Sequence, residues 1–590
     1  KSGVYIMTDK KYVWAAEEIY DSVEKWEKDY KEVLSKIDFS EFKGKLGDKK
    51  VFLACMKKQE ELGRVIEKLG LFAMMKHDED TRDSVYDALL SKIETVSAVY
   101  GDKTAYILPE LTSLDESVLE SYIRDPELSA YDYSLKLILK DKAHVLSEGE
   151  ERLLSLSGEA MSSFRDIFTK TDNADLPLKP VEHEGKSYPL THGTYGLLMK
   201  NPDRELREKT FKQYYGAYIS LIDVISATYA GSVKKDVFYA KAKKYDSALD
   251  MALAGEDVDS KVYKNLVSSV NRALPLLHEY MAAKKKELGL KEFHMYDVYV
   301  PSVKNAELEL EYDEAYELVI KGLSVLGEEY KGLLKKAHDE RWISVYETAG
   351  KRSGAYSAGV FDTHPYVLLN YQKTTSDVFT IAHEMGHSIH TYFSNRTQPY
   401  AKADYKIFVA EVASTVNEAL LVKYLLKEEK DTHMRKYLLS YLMEMIRTTL
   451  FRQTQFAEFE EYSHESAEKG EPLTKDAMNE KYLEINKKYY GDAVISDDEI
   501  KYEWARIPHF YRAFYVYKYA TGIISALAIS DRILSEGKPA VEDYFKFLSS
   551  GSSDCPVNLL KIAGVDLTTD KPFDAAFKTF KDALEEYKKL

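Results

Sequence analysis

The chain has 590 residues, 45% hydrophobic and 31% charged, a balance that excludes a disordered or fibrous protein and allows a large buried core. Its formal net charge of −16 argues against a general nucleic-acid binder, which needs Lys and Arg to neutralise phosphates. Two cysteines, Cys55 and Cys555, offer no disulfide framework and no cysteine metal cluster, and no stretch approaches the roughly 18 apolar residues of a membrane span.

The N-terminal KSGVYIMTDKKYVW lacks the basic start and long apolar run of a signal peptide. A cytoplasmic protein is expected, with Met7 a candidate native start behind residues 1–6. Apolar residues at three- and four-residue spacing predict one helix over 15–37 and another over 315–338, and most of the chain reads as helix. Residues 172–203 interrupt the pattern with four prolines and short strand-like turns, and they read as the boundary of an N-terminal helical lobe, 1–200. A second interruption, 353–377, starts rich in glycine and contains YVLLNY, which predicts a small strand or ribbon. A helix follows through VFTIAHEMGHSIHTYF, with Ser376 as its expected N-cap and Asp377 at its positive end. Pro508 is placed to begin a further helix after ISDDEIKYEWARI.

Three of the 14 histidines fall within residues 383–390. His383 and His387, four apart, share a helix face and can grip one Zn²⁺ at about 2.0–2.1 Å each. Glu384, about 100° round the helix, is badly placed as a ligand and well placed as a base acting on a water. The plainer reading is a helix face with two solvated or capped histidines. Against it stand the apolar flanks FTIA and SIHTYF, between which unpaired rings are costly. Gly386 in mid-helix costs about 1 kcal/mol of propensity, which implies that something approaches that backbone closely. His390 reads as an ordinary surface or supporting histidine.

A catalytic zinc needs a third protein ligand. The next strong helix pattern, 405–426, carries Glu411 inside the apolar FVAEVAST, where a carboxylate needs a cation. Glu418, two turns on, reads as a partner that orients an imidazole or as an ordinary glutamate; Thr415 is a further supporting candidate. The segment 504–522 reads as a helix aromatic nearly all round. Its His509, Tyr511, Tyr515 and Tyr517 are either oxyanion donors or core packing.

HEMGH, followed 24 residues after its second histidine by Glu411 of FVAEVAST, resembles the thimet oligopeptidase family of zinc peptidases. The resemblance extends over YVWAAEEIYDSVEKWEKDY, THGTYGLLMKNPDRELREKTFKQYY, AGKRSGAYSAGVFDTHPYVLLNY and HFYRAFYVYKYATG, in that order along most of the chain. It implies a mainly α, two-lobed helical shell around a deep substrate channel, with a zincin-type catalytic core, a small β ribbon, and residues 201–590 as the catalytic domain. It implies one Zn²⁺ per chain on His383, His387 and Glu411, with Glu384 as general base. The family's substrate-binding and oxyanion residues fall between His509 and Tyr517. The gap from histidine to last tyrosine is shorter here than in thimet oligopeptidase; Tyr517 matches best, then Tyr515, and Tyr511 is left as a substrate-binding candidate. Gly354, Ala355 and Tyr356 resemble the family's edge segment, whose backbone pairs with the bound peptide.

The expected function is a zinc metalloendopeptidase acting on short unfolded peptides, without nucleic-acid or membrane partners and with the oligomeric state open. One alternative is a zinc carboxypeptidase or dipeptidyl carboxypeptidase, which needs a cation such as Arg506 or Lys518 for the substrate's C-terminus. Another is a non-catalytic peptide-binding scaffold.

Overall fold

The computed structural model describes residues 9–304 and 306–590; Met7 and residues 1–6 lie outside them. The described residues are mainly helical, with only small sheets among them, in line with the spacing of the chain's apolar residues. It forms two compact units, each assembled from separate stretches. The first comprises the described residues of Lys1–Ala143 with Glu307–Leu425 and Ile529–Val565; the second comprises His144–Ala306, Leu426–Ala528 and Asp566–Leu590. The proline-rich stretch 172–203 lies inside the second unit, where β1 (Val181–His183) and β2 (Lys186–Tyr188) form a hairpin. Among the described residues no helix is long and apolar enough to cross a membrane.

In the first unit, α1 (Lys49–Glu79) starts where Asp48 accepts hydrogen bonds from the Lys50 and Val51 amides, and it buries Phe52, Leu62, Leu69, Phe72 and Met75 in a core with Trp26 and Tyr30. The helix expected over 15–37 begins only at Val23, capped by Ser22, after a 3-10 turn at Ala16–Glu18. The one expected over 315–338 is two helices, Tyr312–Gly322 and Glu328–Asp339. Gly327 separates them at φ 88°, a backbone region that residues with a Cβ enter only at a cost. The ribbon signalled by YVLLNY is present. β3 (Ile343–Ser344), β4 (Tyr356–Ala358) and β5 (Tyr366–Leu368) form a sheet of order β3-β5-β4, with buried β5 in the middle and β4 at the edge.

Two helices follow, α2 (Thr375–Thr397) and α3 (Ile407–Glu428). The cap of α2 is Thr374, not Ser376. Thr374 Oγ1 accepts from the Asp377 amide (3.2 Å) while Asp377 Oδ2 accepts from the Thr374 amide (2.9 Å). This reciprocal box requires an acid three residues after the cap, a spacing Thr374 has and Ser376 lacks.

The second unit contains α4 (Arg452–Glu468), and α5 (Tyr517–Glu536) begins there. The single helix expected over 504–522 does not form. Pro508 does open a turn, the 3-10 segment Pro508–Tyr511, but Phe514 then adopts φ 54° and regular helix resumes only at Tyr517. A long-range contact overrides the local pattern: Glu460 Oε1 on α4 accepts from the Phe514 amide at 3.0 Å.

Glu460 is fully buried, and burial raises its carboxyl well above the usual range. The folded chain thus retains a proton that the unfolded chain loses above pH about 4.3. The stability tied to that proton is present at acid pH and is eroded as pH rises. Glu460→Gln is therefore expected to raise the melting temperature at pH 8 and leave it unchanged at pH 4. Thermal unfolding at both pH values checks this, and equal shifts would mean the carboxyl is ionised in place.

Candidate active site

The site is built where α2 and α3 touch. A Cβ on Gly386 would lie 2.6 Å from Ser414 Cα and 2.7 Å from Ala413 O, so the two backbones meet closer than any other residue at 386 permits. This is the close approach that a mid-helix glycine implied. The contact is held by Asn417, whose Nδ2 donates to Ala382 O (2.9 Å) and whose Oδ1 accepts from Tyr330 Oη (2.8 Å). Asn417 carried no signal in the sequence, because its partners lie far away along the chain.

Across this contact His383, His387 and Glu411 converge, each partly exposed. His383 Nε2 lies 3.2 Å from His387 Nε2, and Glu411 Oε2 lies 3.4 and 3.5 Å from these two nitrogens. A tetrahedral zinc with ligand bonds of about 2.0–2.1 Å has ligand-to-ligand edges of about 3.3–3.4 Å. The triangle fits that ion. Two imidazole nitrogens facing one another at this distance also need a cation or a proton between their lone pairs. Ser414 steadies the carboxylate, its Oγ donating to Glu411 O (3.0 Å) and approaching Oε2 (3.3 Å).

Glu418 lies where an orienting carboxylate belongs: His383 Nδ1–H donates to its Oε1 at 2.6 Å, which turns Nε2 towards the triangle. Thr415 is buried on α3, one turn after Glu411. Glu384 is only 7% exposed, and burial, partly offset by the two imidazoles, raises its carboxyl above the usual value. Burial also acts to raise Glu411, but the His383 and His387 imidazoles beside it outweigh that and hold the carboxyl well below the usual range. Three carboxylates thus surround two imidazoles, an excess of negative charge that favours a cation.

His390 is corrected. It is neither surface nor supporting but 1% exposed, its ring stacked on Tyr405 at 3.8 Å and lying 5.5 Å from Phe547. Burial, with His387 nearby, pushes its pKa down to about 3, so it is a neutral core ring.

Gly354 and Ala355 are exposed, and Tyr356 opens the edge strand β4. The Tyr356 phenol is not free for a ligand, since it donates to Asp78 Oδ2 at 2.7 Å. Within the second unit, His509 is exposed and Tyr515 partly exposed, their rings 5.9 Å apart. Tyr511 is buried and stacked on Phe168 at 4.3 Å, and Tyr517 is 0% exposed against Tyr263 at 5.2 Å. The two cations suggested for a carboxypeptidase are engaged: Lys518 Nζ pairs with Glu256 (2.6 Å), and Arg506 pairs with Glu503 (3.4 Å) beside Tyr195, Tyr214 and Tyr215.

A His-Glu-x-x-His helix joined by a glutamate from the next helix, in a mainly helical chain, has the form of a metallopeptidase site. The comparisons give the family. The chain matches the profile of peptidase family M3 over residues 197–579 and that of oligopeptidase F over 110–177. It is 43% identical to the oligopeptidase PepF of Bacillus subtilis (strain 168), over 98% of this chain and 87% of that one. It is 39% identical to the oligoendopeptidase F homolog of Lactococcus lactis subsp. lactis (strain IL1403), over 98% and 97%. A crystal structure of oligoendopeptidase-F from Enterococcus faecium superposes with a TM-score of 0.73 at 34% identity, covering 97% of this chain and 99% of that one. A crystal structure from Chlamydophila abortus gives 0.93 at 36% identity, covering 98% of each chain. The chain belongs to peptidase family M3 and is a peptidase.

Two outcomes test the geometry. Gly386→Ala is expected to force α2 and α3 apart, at about 1–3 kcal/mol of overpacking, and to lower both melting temperature and zinc affinity. Calorimetry and metal titration read the two effects. Glu418→Ala is expected to weaken zinc about 10–100-fold by releasing His383, and Glu411→Ala to weaken it further by removing a ligand. The reverse order in a competitive chelator titration would reassign the third ligand.

Proposed function

We propose that this peptidase is a zinc endopeptidase that cleaves internal bonds of short, unfolded peptides, with Zn²⁺ held by His383, His387 and Glu411. The observation that carries the reading is the triangle of 3.2, 3.4 and 3.5 Å between the three donor atoms, with Glu384 buried on the same helix. Zinc, when bound there, lowers the pKa of a water towards about 7 and polarises the scissile carbonyl.

The remaining work falls to the chain. Glu384 accepts the proton of the attacking water and returns it to the leaving amine nitrogen. Its burial suits it to this task, because a raised carboxyl is a stronger base than a solvated one. Glu418 keeps His383 in the tautomer whose Nε2 is free to bind metal. The edge formed by Gly354, Ala355 and Tyr356 offers backbone groups to an extended peptide, a mode that reads shape more than side chains. Of the four candidates His509, Tyr511, Tyr515 and Tyr517, solvent reaches His509 and Tyr515, which favours these two for ligand contact and for the oxyanion role. Neither Cys55 nor Cys555 is in a disulfide, which suits a reducing compartment such as the cytoplasm.

The relatives named oligoendopeptidase F support the endopeptidase reading over the carboxypeptidase one, as do the engaged Arg506 and Lys518. The decisive variant is Glu384→Gln. It is expected to retain one zinc per chain by elemental analysis while turnover of a peptide blocked at both ends falls about 10²–10⁴-fold. Unchanged turnover would remove Glu384 from the mechanism, and failure of the native enzyme to cleave the blocked peptide would overturn the endopeptidase assignment.

A further inference from the structure

Asp78 is in an unfavourable place. It lies next to the last residue of α1, at the negative end of the helix dipole, and its side chain is 3% exposed. A buried carboxylate there needs compensating donors, and two of its three come from the segment leading into the edge strand. Tyr356 Oη donates to Asp78 Oδ2 (2.7 Å), the Arg352 guanidinium approaches the same oxygen (3.3 Å), and His77 Nδ1 lies 3.4 Å from Oδ1.

The main chain repeats the attachment. The Arg352 amide donates to Asp78 O (3.0 Å), the Thr81 amide to Gly350 O (2.8 Å), and Arg82 Nη2 to Ala349 O (2.9 Å). Gly350, at φ 88°, is pressed so closely on this turn that a Cβ would lie 2.1 Å from Asp80 Oδ1. Alternation along β4 supplies the opposite anchor. Tyr356 faces α1, while the next residue, Ser357, shares a 2.8 Å hydrogen bond with Ser388 of α2, the residue after His387. The edge strand is therefore pinned between the end of α1 and the helix that carries the histidines.

We propose that Asp78 is a positioning residue for substrate: through Tyr356 and Arg352 it sets the depth and register at which the edge Gly354–Ala355–Tyr356 meets an extended peptide. This rests on the reading that the edge pairs with the substrate backbone. Asp78 touches neither the substrate nor the candidate metal ligands, so its loss acts on binding and leaves the chemical step alone.

The test uses the zinc-loaded enzyme and a doubly blocked fluorogenic peptide, with a second version N-methylated at the amides facing the edge. Asp78→Ala is expected to raise KM about tenfold with kcat and zinc content unchanged, the size of losing a hydrogen bond to a charged group. Asp78→Asn, which still accepts from Tyr356, is expected to recover most of that loss. N-methylation is expected to raise KM for the native enzyme and to add little in Asp78→Ala. Tyr356→Phe keeps the carboxylate and its Arg352 partner, and it is expected to raise KM about threefold; it stands in if Asp78→Ala does not fold. A fall in kcat or in bound zinc with unchanged KM overturns the proposal. If N-methylation penalises the native enzyme but neither variant changes KM, the edge reading stands and the role of Asp78 fails. If N-methylation has no effect on the native enzyme, the edge reading itself fails, whatever the variants do.

Discussion

The candidate site depends on one contact, the backbone approach of α2 to α3 at Gly386. With no Cβ at that position, Ser414 Cα and Ala413 O enter the space a methyl group would fill. Small residues on the facing turn of α3 complete the fit. The consequences run along both helices: Asn417 reaches the carbonyl of Ala382, Glu418 reaches His383, and Glu411 comes within 3.5 Å of both imidazoles. The helix propensity lost at Gly386 is thus offset by the close packing that brings the candidate ligands together, since a wider interhelix spacing would leave the glutamate short of the histidines.

The second constraint is the cost of burying carboxyl groups, and the chain meets it differently at each place. At the candidate site three carboxylates face two imidazoles, a balance that a divalent cation would complete. In the second unit Glu503 is matched by Arg452 at 2.7 Å and Arg506 at 3.4 Å, with Tyr482 donating to its other oxygen. Glu460 faces no such cation among the described residues; burial holds its carboxyl well above the usual range, with the Phe514 amide bound to one oxygen. Asp78 is satisfied by a phenol and a guanidinium from a segment more than 270 residues away. Each solution ties together elements that local sequence pattern treats separately.

These long-range ties explain where local patterns mislead. His390 lies in the same helix as the two candidate ligands and looks equivalent to them, yet its ring points into the packing of Tyr405 and Phe547. The aromatic run 504–522 has the spacing of a helix but is bent at Phe514 by a carboxyl from α4. Ser376 has the chemistry of a cap, and Thr374 takes the position because the acid that completes the box is three residues away from it.

What the sequence determined by itself is what chain spacing controls. Four-residue separation puts His383 and His387 on one face, leaves Glu384 beside them, and marks Glu411 as an acid in apolar surroundings that needs a partner. The same local rules made the helical character and the YVLLNY strand legible. Only the tertiary structure decided which groups meet: Glu411 with the imidazoles, Asn417 with Ala382, Asp78 with Tyr356, and Glu460 with Phe514. The physical reason is range. Periodicity and propensity act over one or two turns of chain, whereas burial costs and backbone approach are settled between segments tens to hundreds of residues apart.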